Sequence, residues 1–224
     1  MQENKYHISE SVQIAFLLAF AGGFLDAYTY VARCEVFANA QTGNIVLLGI
    51  HLLDGRLGEA VHYLVPILSF IMGILVAETV KKYFLEAKKL HWRQIILGIE
   101  IATLVIAAFV PESGNPFVNA AISFVSSLQV QSFRKVRGNP FTTTMCTGNL
   151  RMATEHLYAY SQSREKRILR TSLLYYAVIG CFLSGAGVGA FLTRTFRMQA
   201  VLFPAGILLI AMIVIMADRF QSRS

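Results

Sequence analysis

The sequence predicts an all-α integral membrane protein with about six transmembrane helices, arranged as two inverted three-span repeats. Three observations lead to this fold class. The chain is 55% hydrophobic and only 15% charged, its apolar residues cluster in long windows, and Thr-Gly-Asn occurs twice ahead of a short run. A typical soluble domain has roughly 45–50% apolar residues and about 25% charged ones.

Six apolar windows are candidates for membrane-spanning helices. A bilayer core about 30 Å thick needs roughly 17–25 helical residues to cross it, and every window approaches or meets that length. No window alternates apolar and polar residues as the strands of a membrane barrel do, so the spans are predicted to be helical. The windows are Val12–Val31, Tyr63–Val80, Ile95–Val110, Phe117–Phe133, Leu173–Leu192 and Ala200–Ala217.

The basic residues predict how these spans are oriented. With six spans, 16 of the 20 Lys and Arg residues fall on one side and 4 on the other. Because basic loops favour the cytoplasmic side, both termini are predicted to be cytoplasmic. If both Thr-Gly-Asn elements also crossed, the split would be 8 against 11, with Arg151 inside a span. An arginine at mid-span costs about 2.5–3.5 kcal/mol, so six spans are favoured.

The Thr-Gly-Asn motif belongs to a longer internal repeat. A shift of 105 residues aligns the two motifs, pairs His51 with His156, and places Asp26 opposite Gln131. Each half then consists of a span, a Thr-Gly-Asn element and two further spans. Since three spans is an odd number, the second half enters the membrane from the opposite side, as in many transporters. The sequence predicts repeats at about 12–110 and 117–217 within one membrane domain, 1–224.

Each Thr-Gly-Asn element is predicted to be a short re-entrant loop followed by a half-helix. Glycine allows a tight turn, and asparagine near a helix N-terminus can cap the helix or contact a ligand. The structural alternative is an inert helix start in a surface loop, but two matched copies favour a lined pathway. The predicted pathway residues are Asp26, Thr42, Gly43, Asn44, Gln131, Thr147, Gly148 and Asn149.

Polar residues inside the spans support this choice. An intramembrane acid such as Asp26 usually faces a bundle interior or a wet cavity. The alternatives are a structural hydrogen-bonding role and simple nearness to the outer interface, because Asp26 lies five residues from the end of its span. Gln129 and Gln131 cannot share a helical face, and Gln131 is preferred for the pathway because it aligns with Asp26. Glu100 lies shallowly in its span, so it is expected to snorkel toward the cytoplasmic basic cluster.

Other classes of function find no support in the sequence. The three cysteines show no paired spacing, so neither a disulfide framework nor a metal site is predicted. No nucleophile–base pair is evident, and the chain is predicted not to be an enzyme and to need no cofactor. The net charge of +7 follows largely from the positive-inside loops, and nucleic acid is not an expected partner. The expected partners are the lipid bilayer, a small solute and a coupling proton or cation, with homo-oligomerisation left open.

The segments "AGGFLDAYTYV", "TGNIVLLG" and "TTTMCTGNL" resemble the YoaK-type family of bacterial membrane proteins, whose function is unknown. The resemblance covers essentially the whole chain. It implies a small multi-pass protein of the bacterial cytoplasmic (inner) membrane and leaves the substrate and the activity open.

The function predicted from the residues is that of a secondary transporter or facilitator of a small solute. Its site is expected near the midplane, where the two repeats meet. The N-termini of the half-helices favour an anionic or zwitterionic group, whereas Asp26 favours a cation. A passive channel of similar layout, or a membrane interaction protein or enzyme, is the alternative.

Overall fold

The structure is a computed structural model that describes residues 10–84, 92–136, 139–141, 144 and 146–221. Most of these residues are helical. The α-helices are α1 (Val12–Ala32), α2 (Gln41–Leu53), α3 (Leu57–Phe84), α4 (Trp92–Ala107), α5 (Asn115–Ser132), α6 (Cys146–Ser163), α7 (Lys166–Phe196) and α8 (Leu202–Gln221). Short 3-10 turns cover Glu112–Gly114 and Arg197–Val201, and the two-residue strands β1 (Lys135–Val136) and β2 (Asn139–Pro140) form an antiparallel pair.

Each predicted apolar window falls on one long helix: α1, α3, α4, α5, α7 or α8. Among the described residues, three stretches are long and apolar enough to cross a membrane: Val12–Ala32, Leu57–Lys82 and Lys166–Ala217. The last stretch contains both α7 and most of α8. The described residues therefore confirm a mostly helical, apolar chain with segments long enough to span a membrane, to which the β1–β2 pair is a small addition. The count of six spans and the inverted repeat stay predictions.

Two arginines mark the two ends of the helix bundle. At one end, Arg93 at the start of α4 donates from Nε to the carbonyl of Ser132 at the end of α5 (3.0 Å). It also lies 3.6 Å from Glu10, just before α1. At the other end, Arg33 follows α1 and donates to the carbonyl of Ala107, the last residue of α4 (2.7 Å). We call these the Arg93 end and the Arg33 end.

These contacts fix the direction of the long helices. The hydroxyl of Tyr28, near the end of α1, donates to the carbonyl of Met198, which follows α7 (3.1 Å). The side chain of Gln131 near the end of α5 bonds to Glu78 near the end of α3. Helices α1, α4 and α7 therefore run from the Arg93 end to the Arg33 end. Helices α3 and α5 run the other way, and α8 starts from the Arg33 end.

The main helix pairs follow a regular scheme. Helix α1 packs on α7 and α8, α5 packs on α3 and α4, α2 packs on α3, α6 packs on α7, and α4 packs on α8. This set of pairs is unchanged when α1, α2, α3 and α4 are exchanged with α5, α6, α7 and α8 in that order. The long helices α1 and α3 each run opposite to their counterparts, α5 and α7.

Glycines allow the closest of these crossings. A Cβ added at Gly23 of α1 would clash with the backbone carbonyl of Phe182 in α7, and one at Gly185 would clash with that of Phe20 in α1. In the counterpart pair, a Cβ on Gly73 of α3 would clash with Ser127 and with the carbonyl of Phe124 in α5. Close backbone approach at small residues is the usual basis of helix association in a membrane.

Candidate functional site

The candidate site lies halfway along α1, where Asp26 and Gly22 meet the loop that precedes α2. Asp26 is 5% exposed, and its Oδ1 accepts from the backbone N–H of Asn39 (2.6 Å) and of Ala40 (3.4 Å). The side-chain amide of Asn39 donates to the carbonyl of Gly22 (3.2 Å), which is the middle residue of α1. After α1 ends, the chain therefore turns back along α1 for about 15 Å before α2 begins, at 1.5 Å per helical residue.

A second loop reaches the same point from the other end. Thr144 precedes α6, and its Cγ2 occupies the space that a Cβ on Gly22 would need. Because α6 is followed directly by α7, which starts at the Arg93 end, this helix leads from mid-bundle back to that end. The segments before α2 and α6 thus meet at the middle of α1.

In the first Thr-Gly-Asn motif, the asparagine holds the loop that precedes it. The Asn44 side chain is fully buried; Oδ1 accepts from the N–H of Phe37 (3.0 Å), and Nδ2 donates to the carbonyl of Phe37 (2.8 Å). Nδ2 also donates to Oε1 of Gln41 (2.9 Å). Gly43 lies against the Phe37 ring, where a Cβ would come within 2.7 Å of Cδ2. Thr42 is exposed. The motif therefore fixes the position at which α2 starts.

The second motif occupies the matching place at the start of α6. Asn149 is 3% exposed and has an interaction partner of its own, while Thr147 and Gly148 are exposed.

The exposed faces of the two short helices, α2 and α6, differ in polarity. Ile45, Val46 and Ile50 are exposed on α2, whereas α6 exposes Arg151 and Glu155, which form an ion pair (3.0 Å).

Both motifs are followed by a histidine that contacts a tyrosine. His51 of α2 stacks on Tyr63 of α3, with ring centroids 5.2 Å apart. His156 of α6 meets Tyr175 of α7 at 5.8 Å, in a tilted arrangement. Nδ1 of His51 also lies 3.2 Å from Oε2 of Glu59, and Nδ1 of His156 lies 2.7 Å from the carbonyl of Met152. These contacts attach each short helix to the long helix that follows it.

Gln131 is not brought together with Asp26. It lies at the Arg93 end of α5, where its amide donates to Glu78 of α3. The buried glutamine of α5 is Gln129, which is 1% exposed and donates to Glu100.

The expectation that Glu100 snorkels toward the cytoplasmic basic cluster is wrong. Its side chain points between α4 and α5 and is fully buried.

The chemistry available at the middle of α1 is that of a single carboxylate. Oδ2 of Asp26 is buried and has no hydrogen-bond partner among the described residues. No group of three or more metal-ligating side chains is found in the described part of the chain. Although Asp26 belongs to α1, its carboxylate lies beside the N-terminus of α2, where the helix dipole stabilises negative charge. Its free oxygen is suited to accept a hydrogen bond from a solute or to contact a small cation.

Two residues that contact α1 were not predicted from the sequence, namely Asn39 and Thr144. A signal for both is nevertheless present, because each lies five residues before the asparagine of its Thr-Gly-Asn motif. The shift of 105 residues pairs them as it pairs the motifs. These two polar residues, Asn39 and Thr144, therefore show that each loop reaches the middle of α1.

Comparisons with known proteins identify the family of the chain and support a membrane location. A family described as "Protein of unknown function (DUF1275)" matches residues 14–214. The UPF0700 transmembrane protein YoaK of Bacillus subtilis (strain 168) is 24% identical over 182 residues, which cover 76% of this chain and 78% of that protein. No solved structure matches. The resemblance to the YoaK-type family is confirmed.

Proposed function

The chain belongs to the DUF1275 family of transmembrane proteins, whose function is unknown, and we propose that it is a secondary transporter or facilitator of a small solute. Its proposed site is the middle of α1, where the two Thr-Gly-Asn elements meet. One observation carries the proposal: the loops before α2 and α6 contact Gly22 beside a buried carboxylate whose Oδ2 is unpartnered among the described residues.

The proposal includes an inverted repeat, with α1–α4 as one half and α5–α8 as the other. It is supported by the exchange of the main helix pairs between the halves, and by the opposite directions of α1 and α5 and of α3 and α7. It is also supported by matched side-chain contacts, such as those of His51 with Tyr63 and of His156 with Tyr175. In such transporters the solute site lies at the repeat interface near the bilayer midplane.

The proposed location is the bacterial inner membrane, with both termini in the cytoplasm. The Arg93 end is then cytoplasmic and the Arg33 end faces outward, in keeping with the excess of basic residues on one side. The loop before α2 enters from outside, and the loop before α6 enters from the cytoplasm. Non-helical backbone at this depth is tolerated where it lines a cavity or is buried in protein.

The class of solute follows from the charge at the site. The sequence alone left both an anionic and a cationic group open. The carboxylate of Asp26 already occupies the N-terminus of α2. An anion that approached this helix end would therefore be repelled by a negative charge. A small cation, or a solute with an ammonium group, would instead gain a partner in Oδ2. We therefore propose a cationic or zwitterionic solute.

Cysteine accessibility tests the proposed topology. In a background without Cys34, Cys146 and Cys181, a single cysteine replaces Thr42 or Thr147, both of which are exposed at the start of their short helices. Membrane-impermeant thiol reagents are expected to label Thr42→Cys only from outside and Thr147→Cys only from the cytoplasm. Leu68→Cys, on the exposed apolar surface of α3, is the control and should resist labelling from both sides. Labelling of both motif positions from one side would exclude the inverted repeat.

Replacement of Asp26 tests the transport site. In Asp26→Asn the amide oxygen can still accept from Asn39 and Ala40, so the fold should be retained while the charge is lost. Asp26→Ala leaves both N–H groups without that acceptor and is expected to cost about 1–3 kcal/mol of stability. Proteoliposomes containing a pH-sensitive dye would be challenged with ammonium, methylammonium and sodium. Flux of at least one of these is expected for the wild type and should be abolished in Asp26→Asn.

The control for that measurement is Glu112→Gln, which removes an exposed carboxylate at the Arg33 end. It should leave both flux and thermal stability unchanged. Flux that is the same in Asp26→Asn and in the wild type would contradict the assignment of Asp26.

A further inference from the structure

Glu100 and Gln129 form a second buried polar pair, separate from Asp26. The Glu100 side chain is fully buried and that of Gln129 is 1% exposed. Nε2 of Gln129 lies 3.1 Å from Oε1 and 3.0 Å from Oε2 of Glu100. The pair joins α4, the last helix of the first half, to α5, the first helix of the second half.

No described cation balances the charge of this carboxylate. On α4, Arg93 is engaged by Glu10 (3.6 Å) and by the carbonyl of Ser132. On α3, Lys81 lies 3.6 Å from Glu78, and Lys82 is exposed. Helix α5 has no charged residue, and neither does the described surface of α8 (residues 202–217). An ionisable group buried within the membrane without a charged partner is costly when ionised and is usually functional.

Gln129 is suited to both protonation states of its neighbour. A carboxylate only accepts hydrogen bonds, and the amide Nε2 provides the donor that is observed. A protonated carboxyl also carries an O–H donor, and the amide oxygen of the same glutamine can accept from it. A leucine at position 129 would pack but would satisfy neither form. The amide thus allows a proton to be gained or lost inside the bundle.

We propose that Glu100 carries a proton. It takes up one proton to become a neutral carboxylic acid bonded to Gln129 and releases the same proton to return to the carboxylate. This inference rests on the proposed transport function, for which it names the proton as coupling ion and leaves Asp26 to the solute. Because the pair lies between α4 and α5, a change in its protonation alters the contact between the two halves.

Infrared difference spectroscopy of the protein in lipid tests this proposal without a known solute. The wild type is expected to show the carbonyl-stretch band of a protonated carboxyl group, which shifts in D₂O and is lost as the pH is raised. Glu100→Gln should remove that band, whereas Glu112→Gln, at an exposed acid, should retain it. Asp26→Asn should also retain it, which separates Glu100 from the proposed solute site.

A second variant keeps the test decisive if Glu100→Gln does not fold. Gln129→Leu removes the hydrogen-bond partner and should move the band to higher frequency without abolishing it. The same spectrum in the wild type and in Glu100→Gln, or a band that persists at every pH at which the protein stays folded, would overturn the proposal. Either result would leave the transport function intact, because the flux measurement with Asp26→Asn tests it independently.

Discussion

Gly23→Ala is expected to prevent stable folding. A Cβ at this position would clash with the backbone carbonyl of Phe182 and come within 3.1 Å of the backbone nitrogen of Ala186. Backbone atoms of a helix cannot rotate away as a flexible side chain would, so α1 and α7 would have to separate. Overpacking costs about 1–3 kcal/mol and occasionally more, and the rigid neighbours place this site at or above the upper end of that range. Thermal unfolding followed by size-exclusion chromatography in detergent would measure the loss.

The matched control is Gly187→Ala on α7. No atom lies within 4 Å of a Cβ added there, so the substitution adds no clash. Alanine is favoured over glycine in a helix by about 1 kcal/mol, and the variant should be as stable as the wild type or slightly more so. Equal stability of Gly23→Ala and Gly187→Ala would show that α1 and α7 do not pack as described.

Arg33→Met is expected to have the second large effect. Arg33 is fully buried, and its guanidinium group donates four hydrogen bonds. Two go to the backbone carbonyls of Ala107 (2.7 Å) and Val110 (3.1 Å). The other two go to Oδ1 of Asn115 (2.7 Å) and to the hydroxyl of Tyr28 (2.9 Å). Methionine fills similar space but leaves these acceptors unsatisfied, at about 1–3 kcal/mol for each buried group. The expected result is loss of the folded protein from the membrane, measured as the detergent-soluble monodisperse fraction.

Two further variants separate hydrogen bonding from charge. Arg33→Lys keeps the charge but lacks the planar fork, so it should recover only part of the stability. Arg56→Met removes an exposed arginine that pairs with Asp54 and Glu59, and exposed pairs are worth at most about 1 kcal/mol. If Arg33→Met tolerated heating as well as Arg56→Met, the buried network would not hold the Arg33 end together.

The positions of the long helices could be predicted from the sequence. Apolar windows of this length indicate helices whatever their neighbours are, and each of the six windows falls within or close to one helix. The partners of those helices could not be predicted in the same way. Which helix lies against α1 depends on where glycines allow two backbones to approach. Nothing in the sequence around Gly23 or Gly185 indicates that α1 and α7 pack together at these residues.

The candidate site could be predicted in part. Asp26 stood out because an acid in an apolar span is rare, and the two motifs stood out because they repeat. The place of Gln131 could not be predicted, because a shift that aligns the motifs does not align α1 with α5 when the loops differ in length. Gln129 and Gln131 lie on different faces of α5, and the sequence alone does not show which of these faces is buried. The burial of Gln129 depends on where α4 packs. Glu100 was misjudged for the same reason.

The pairing of α1 with α7 has a consequence for biosynthesis. Helix α7 begins 134 residues after α1 ends, whereas α5, the partner of α3, begins 31 residues after α3 ends. As the ribosome delivers the chain, α3 and α5 can associate first, while α1 must wait in the bilayer until α7 is made. Long-range pairing of this kind forms slowly. Until then the glycine face of the first helix, with Gly23, lacks the close packing partner that α7 provides in the folded protein.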